Sequence, residues 1–264
     1  MKNIQIGIIG GTRGMGKWFA DFLRKQGYQV HASGSVTGMP VARIAACCQV
    51  VVISVPIGIT AEIIAKVGPL MAKESLLMDL TSLKVEPVKA MLNCSAAEVI
   101  GCHPLFGPQV EMPENRHVVL CPARGEKWLP WLREVLAGGG ASIEEITPAR
   151  HDELMSIVQG LNHLNTILMG MALGKTAAPL AQLDRYTTPS FDSKSQVVRN
   201  VFSENPRLYA EIICKNPDMQ RVIAVYEQAL AEIKACVVKD EADNLTAAME
   251  KTAARLWPVE NSRR

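Results

Sequence analysis

The stretch "IQIGIIGGTRGMGKWF", residues 4–19, sets the reading of the whole chain. An apolar, β-branched run ends abruptly in a glycine-rich loop, Gly10 to Gly16, and the amphipathic segment "KWFADFLRKQG" follows at once. Glycines at a strand-to-helix turn let the backbone approach a phosphate, whose charge then sits at the helix N-terminus. The spacing departs from G-x-G-x-x-G: Gly10 and Gly16 are one residue further apart than the outer glycines of that pattern, with Gly11 and Gly14 between. A glycine loop alone can be only a tight turn. Its position after the first strand of a series makes a dinucleotide the expected ligand.

Working outward, short runs rich in β-branched residues alternate with amphipathic segments: "YQVHAS", "QVVVISV", "TAEIIAKVGPLM", "SLLMDL", "AEVIGC" and "HVVLCPA". Strands alternating with helices imply βαβ units and a parallel, doubly wound sheet of the Rossmann type. The weak segment "ASIEEITP" is expected to close that sheet. From "PARHDELMSIVQGLNHLNTILMGMALG" onward the period is helical and strand signals vanish. The expected organisation is therefore a dinucleotide-binding domain over 1–148 and an all-helical domain over 149–264. The apolar face of "LNHLNTILMGMALG" is too continuous for one small helical domain to cover, which points to dimerisation. The tail "PVENSRR" reads as frayed.

Composition narrows the partners. At 264 residues, 48% hydrophobic and 20% charged, the chain can bury a sizeable core. A net charge of +2 without Lys/Arg blocks gives no electrostatic footprint for nucleic acid or a membrane surface. A small-molecule partner is expected instead. The N-terminus lacks an export segment and no apolar stretch approaches the roughly 18 residues that span a bilayer, so the protein is expected in the cytoplasm. Seven cysteines without ligand spacing suggest reduced, buried thiols, the pair Cys47 and Cys48 included, and no metal site.

Candidate site residues cluster at strand ends, where open α/β sheets bind ligands. Gly10, Gly11, Thr12, Arg13, Gly14, Met15 and Gly16, with Ser33 after the second strand and Val55 and Pro56 after the third, form the expected cofactor set. The second strand ends in "HASGS" without the acid that usually holds an NAD ribose, and Arg13 could reach a 2′-phosphate, so the cofactor stays open as NAD or NADP. His103, in "GCHPLFGPQV", stands where a strand opens into a loop. A neutral histidine, ordinarily near pKa 6.5, suits a general base there, although a plain loop histidine would read the same. Ser82 in "MDLTSLK" is either a hydrogen-bond donor to substrate or the N-cap of the next helix. His163 lies in an apolar helical segment, where a core histidine is the commoner case. Arg199 in "QVVRNVF" reads equally as a surface arginine.

Taken in order, "GGTRGMGKWF", "VPIGIT", "MDLTSLK", "HPLFGP", "IVQGLNH" and "ENPRLYAEI" resemble the prephenate dehydrogenase family of tyrosine biosynthesis, particularly its archaeal and enterobacterial type. The resemblance covers nearly the whole chain. It implies a nucleotide-binding domain, an all-helical dimerisation domain, a homodimer, and oxidative decarboxylation of prephenate with hydride transfer to NAD or NADP. Carried over by residue, His103 matches the catalytic base and Ser82 the serine sharing its hydrogen bond. His163 matches the second-domain histidine facing substrate and nicotinamide. Arg199, with one extra residue before "NP", matches the arginine that grips a substrate carboxylate. A fused chorismate mutase segment is not expected, because the first strand lies at the start of the chain. Arogenate or 4-amino-4-deoxyprephenate dehydrogenase on the same scaffold, or a non-catalytic nucleotide-sensing protein, are the alternatives.

Overall fold

In the computed structural model, which describes residues 3–177 and 180–258, the first strand β1 (Gln5–Ile9) is an inner strand of a seven-stranded sheet, next to one of its edge strands. Its side chains alternate: Ile6 and Ile8 enter one apolar cluster, Ile9 the other. Helix α1 (Gly14–Lys25) follows, then β2 (Gln29–Ser33), α2 (Val41–Cys47), β3 (Val50–Ile53), α3 (Ile57–Val67), β4 (Leu76–Asp79), α4 (Val85–Cys94) and β5 (Glu98–Pro104). The remaining strands are β6 (His117–Arg124) and, after α5 (Trp128–Gly138), β7 (Ser142–Glu145). Their order is β2-β1-β3-β4-β5-β6-β7, so the chain reverses direction of travel across the sheet between β1 and β3. The segment "ASIEEITP" does supply the closing edge strand.

Two departures from the sequence reading have plain causes. The strands β1 to β5 are parallel, but β6 runs antiparallel to β5, and β7 follows β6. No helix lies between β5 and β6 to carry a crossover back to the same end, and without one the neighbour must run the other way. That pairing extends β5 through Pro104, so His103 belongs to the strand rather than to the loop after it. Helices α2 and α5 are not announced by the pattern, because their apolar residues include alanines, a cysteine and tryptophans rather than a regular aliphatic stripe.

Both faces of the sheet are covered. Trp18, Phe19, Phe22 and Leu23 of α1 and Trp131, Leu132 and Leu136 of α5 pack on one face; Ile44 of α2, Ile64 of α3 and Met91 of α4 pack on the other. Each such side chain contributes roughly 1.5–3 kcal/mol on burial. Cys48, Cys102 and Cys121 are buried as expected, but Cys47 and Cys214 are exposed. Adjacent residues at the end of α2 cannot both face inward, and Cys48 takes the buried side.

Four longer helices and a π-turn follow in the same compact unit, which runs to Pro217: α6 (Pro148–Met155), the π-turn Ser156–Leu161, α7 (Asn162–Leu173), then, after the short α8 (Leu180–Leu183), α9 (Pro189–Ser203) and α10 (Pro206–Lys215). The second unit begins at Asp218 and contains α11 (Met219–Lys239) and α12 (Ala242–Leu256) as a hairpin turning at Asp240, whose φ is 56°. The tail 259–264, expected to fray, lies outside the described residues. Among the described residues no helix is long and apolar enough to cross a membrane.

One ion pair fastens the ends of β4 and β5. Lys84, fully buried, pairs with the equally buried Asp79 and donates from Nζ to the Cys102 carbonyl at 2.9 Å. Removing one partner of a buried pair strands the other charge. Lys84→Met should therefore destabilise the fold by about 3–5 kcal/mol, read as a lower urea midpoint; an unchanged midpoint would show that the pair contributes nothing to stability.

Candidate active site

The glycine loop leaves β1 beneath the end of β3, and two glycines make the approach possible. Gly10 has φ +84°, and a Cβ there would lie 1.9 Å from the Ser54 carbonyl oxygen; a Cβ on Gly16 would lie 2.3 Å from the Gly10 oxygen. The amides of Gly10 and Gly11 donate to the Ser33 carbonyl at 2.8 and 3.0 Å. Ser33 thus anchors the loop through its backbone, and its side chain is buried. The amides of Gly14, Met15 and Gly16, in the first turn of α1, have no intrahelical acceptor, and no acidic residue opposes an anion there. Gly14 leaves open space where a side chain would stand. These residues fit a pyrophosphate group. Arg13 is the exposed N-cap, and Thr12 stands against Gly34 beyond β2.

A cavity of about 560 Å³ opens from this loop. Arg13, Gly14 and Met15 line one side, Val55 and Pro56 another, and Ser82 and His103 the floor. The π-turn and the start of α7 deliver Gln159 and His163, four residues apart, to the same cavity. A π-turn is a frequent device at functional sites, since it re-aims side chains within a helix. Asn205, Arg207, Tyr209 and Glu211 complete the lining from α10 and the residue preceding it. The loop after His103 is tied to α1: Phe106 packs edge-on against Trp18 at 4.9 Å, and Trp18 Nε1 donates to the Val110 carbonyl at 2.5 Å.

The cavity's buried rear wall is polar. His103 Nδ1 lies 2.8 Å from His151 Nε2, and His151 Nδ1 lies 2.7 Å from Asp152 Oδ1. Asp152 also accepts the amides of Lys84 at 2.7 Å and Val85 at 2.9 Å, which caps α4 from across the chain. Ser82 therefore does not cap that helix. Gln159 Nε2 lies 3.5 Å from His103 Nε2, and Gln159 Oε1 has no partner among the described residues. His163 packs edge-on against Tyr209 at 4.8 Å, half-buried and open to the cavity.

Burial pushes His103 well below the ordinary histidine range, with the neighbouring His151 and the Lys84 charge adding to the effect. Its value is thus not the near-ordinary one expected from sequence; a strand position under a covered sheet end removes the water that would solvate the imidazolium. Burial also lowers His151, against the opposing effect of its hydrogen bond to Asp152, and lowers His163.

Arg199 is not brought to this cavity. It lies on α9 in a second cavity of about 700 Å³, beside Gly170, Asp192 and Phe202. The reason is the packing of α9 on α7, where the Phe202 ring presses on Gly170 and holds Arg199 at that junction. Arg207 reaches the main cavity instead. Its Nε donates to Glu211 Oε1 at 3.1 Å, and Glu211 Oε2 accepts the Gly58 amide at the start of α3 at 3.2 Å. Sequence reading also passed over His151, Asp152 and Gln159. The only signals for them were "RHDE" and the glutamine of "VQGLNH", both of which read as ordinary helix surface.

Residues 19–145 match the family model of the prephenate dehydrogenase nucleotide-binding domain, and residues 147–251 that of the prephenate dehydrogenase dimerization domain. The chain belongs to the prephenate dehydrogenase family. Within the family it is 31% identical over 270 residues to the probable arogenate/prephenate dehydrogenase of Methanocaldococcus jannaschii, covering 95% of this chain and 60% of that protein. It is 32% identical over 228 residues to the T-protein of Haemophilus influenzae, covering 86% of this chain and 60% of that protein. The chain thus spans about 60% of the length of these relatives. The solved prephenate dehydrogenase from A. aeolicus, in complex with hydroxyphenyl propionate and NAD+, shares the fold with a TM-score of 0.78 at 20% identity, covering 97% of this chain and 98% of that one. Synechocystis arogenate dehydrogenase shares it with a TM-score of 0.73 at 18% identity, covering 96% and 98%.

The lowered histidines of this prephenate dehydrogenase family member carry a stability consequence. In the unfolded chain they return to about 6.5, so below that pH the unfolded state binds more protons and stability falls as pH falls toward the folded values. The midpoint of thermal unfolding should drop between pH 7.5 and pH 5, with a shallower slope in His103→Asn. Parallel slopes would show that His103 is not held neutral by the fold.

Proposed function

We propose that the chain oxidises a prephenate-type cyclohexadienol with loss of CO2, producing 4-hydroxyphenylpyruvate from prephenate itself, with NAD or NADP as oxidant. The observation that carries this reading is His103, buried at the end of β5 in the cavity that the glycine loop also opens into. When bound, the nicotinamide supplies the acceptor for the hydride leaving ring C4. His103 Nε2 takes the proton of the C4 hydroxyl, and departure of the ring carboxylate as CO2 makes the ring aromatic. Ser82 lines the same cavity, where it would share the hydroxyl's hydrogen bond, and His163 lines it where it would face the ring and the nicotinamide. Gln159 Oε1, without a hydrogen-bond partner among the described residues, remains an available acceptor at the same cavity.

Residues 1–148 serve as the dinucleotide domain, with Thr12, Arg13 and the helix amides on the phosphates and Arg13 favouring a 2′-phosphate; 149–264 hold substrate and pair two chains. A homodimer is supported by the match to the dimerization domain and by apolar side chains left exposed within single elements: Leu168 and Met171 on α7, and Leu230, Ile233 and Val237 on α11. Arogenate fits the same site, since the two substrates differ only at the side chain's α-carbon. Turnover followed at 340 nm with each substrate and each cofactor tests the reading; no turnover with any pair would overturn it.

Because the base works only when neutral and its ionisation lies below the ordinary range, the rate should stay level through neutral pH and fall only in acid. His103→Asn should lower kcat by about 10² to 10⁴ with little change in substrate binding. A near-normal kcat in that variant would remove His103 from the chemistry.

For the side-chain carboxylate we take Arg207 over Arg199. A charge-assisted hydrogen bond contributes about 1.5–3 kcal/mol, so Arg207→Ala should raise KM roughly ten- to a hundredfold, and Arg199→Ala less than about twofold. The opposite ranking would return the carboxylate to Arg199.

A further inference from the structure

His103, which lines the cavity, ends a run of three buried side chains reaching back through His151 to Asp152, and the far end sets the direction of its hydrogen bonds. Asp152 is an acceptor only. Its Oδ1 and Oδ2 already take the amides of Lys84 and Val85, so the third close contact, from His151 Nδ1 at 2.7 Å, is an N–H donated to the carboxylate. A neutral imidazole carries one proton. With that proton on Nδ1, His151 Nε2 is an acceptor, and the 2.8 Å contact must be filled by an N–H from His103 Nδ1. A neutral His103 then has its lone pair on Nε2, the nitrogen nearer Gln159 and the cavity.

We infer that His151 is a positioning residue for the base: anchored by Asp152, it fixes His103 in the tautomer whose proton is on Nδ1 and whose Nε2 faces the substrate. The tautomer matters because a free imidazole in water favours neither role strongly, and the wrong one presents an N–H where a proton must be accepted. The arrangement has a second effect. When Nε2 takes the substrate proton, the imidazolium formed still donates from Nδ1 to His151, which still donates to the Asp152 carboxylate; no further proton need move. A negative charge two hydrogen bonds away thus offsets part of the desolvation that burial imposes on the charged base. Opposing it is Lys84, whose own charge is paired with Asp79. The thiols of Cys102, whose side chain lies on the opposite face of β5, and Cys121, on the adjacent β6, are neutral, Cys121 being pushed up to about 12 by burial and Cys102 pushed up as well. This inference rests on the proposed role of His103, but its geometry exists without substrate.

The test uses the full-length chain, with His151→Phe, which keeps a flat side chain without an acceptor, and His151→Gln, whose Oε1 can stand near the lost Nε2. Imidazole ¹⁵N NMR of histidine-labelled protein without ligands, with His103 assigned by difference from His103→Asn, reads the tautomer directly. Wild type and His151→Gln should show His103 protonated on Nδ1, and His151→Phe should show mainly the Nε2–H form. In turnover, His151→Phe should lose about 10²-fold in kcat at unchanged KM, and His151→Gln should recover most of it. An Nε2–H tautomer in folded wild type would overturn the inference whatever the substrate is. So would a His151→Gln variant that folds and is as impaired as His151→Phe, because a merely structural role would not be repaired by an acceptor. Correct tautomers with no turnover of any cyclohexadienol would instead count against the function proposed above and leave the positioning role standing.

Discussion

The carboxylate of Asp152 holds together the parts on which everything else depends. From one short helix, α6, it reaches across to cap α4 through two amides and orients His151 with its remaining contact. The α4 cap joins the helical region to the sheet, and the histidine contact fixes the rear wall of the cavity. Neighbouring Asn216 adds a hydrogen bond from Nδ2 to the Asp152 carbonyl at 2.8 Å, tying in the residue after α10 as well. A charged group can serve in this buried place only because each oxygen has a donor; an uncompensated carboxylate there would cost several kcal/mol.

Around that anchor, the sheet presents Ser82 and His103 at its strand ends, and the helical region adds Gln159 and His163 to the same cavity. The reversal of travel between β1 and β3 opens a crevice at the strand ends, and the glycine loop, Pro56 and Ser82 all arrive there because each follows a strand of the parallel set. The antiparallel strand β6 then extends β5 far enough to bury His103. Burial disfavours the protonated form of the His103 imidazole. Behind the ring, the Asp152 carboxylate, reached through His151, offsets part of that effect, and Gln159 and His163 line the cavity.

Most of the fold was legible in the sequence. Periodicity, β-branched runs and glycine placement are local properties, so the parallel strands, the glycine loop and the change to an all-helical region could be read without contacts. Ser82 and His103, which share a cavity with His163, were also legible from their strand ends, whereas only the family resemblance pointed to His163, which lies in a helix. The direction of β6 was less legible, since it depends on whether a connection contains a helix and "PQVEMPENRH" declares neither outcome.

The local chain dictates which residues stand at the ends of strands, because backbone conformation follows from neighbours a few positions away. The environment of His103 is set otherwise. Its partner lies 48 residues on, and Asp152 meets Val85 across 67, so neither contact leaves a periodic or spaced signal. Arg199 and Arg207 make the same point: they are eight positions apart with similar flanking apolar residues, yet the packing of Phe202 against Gly170 holds one at a separate cavity while α10 places the other at the rim of the main one. Side-chain destination is decided by which helices touch, and that is a property of the packed chain as a whole.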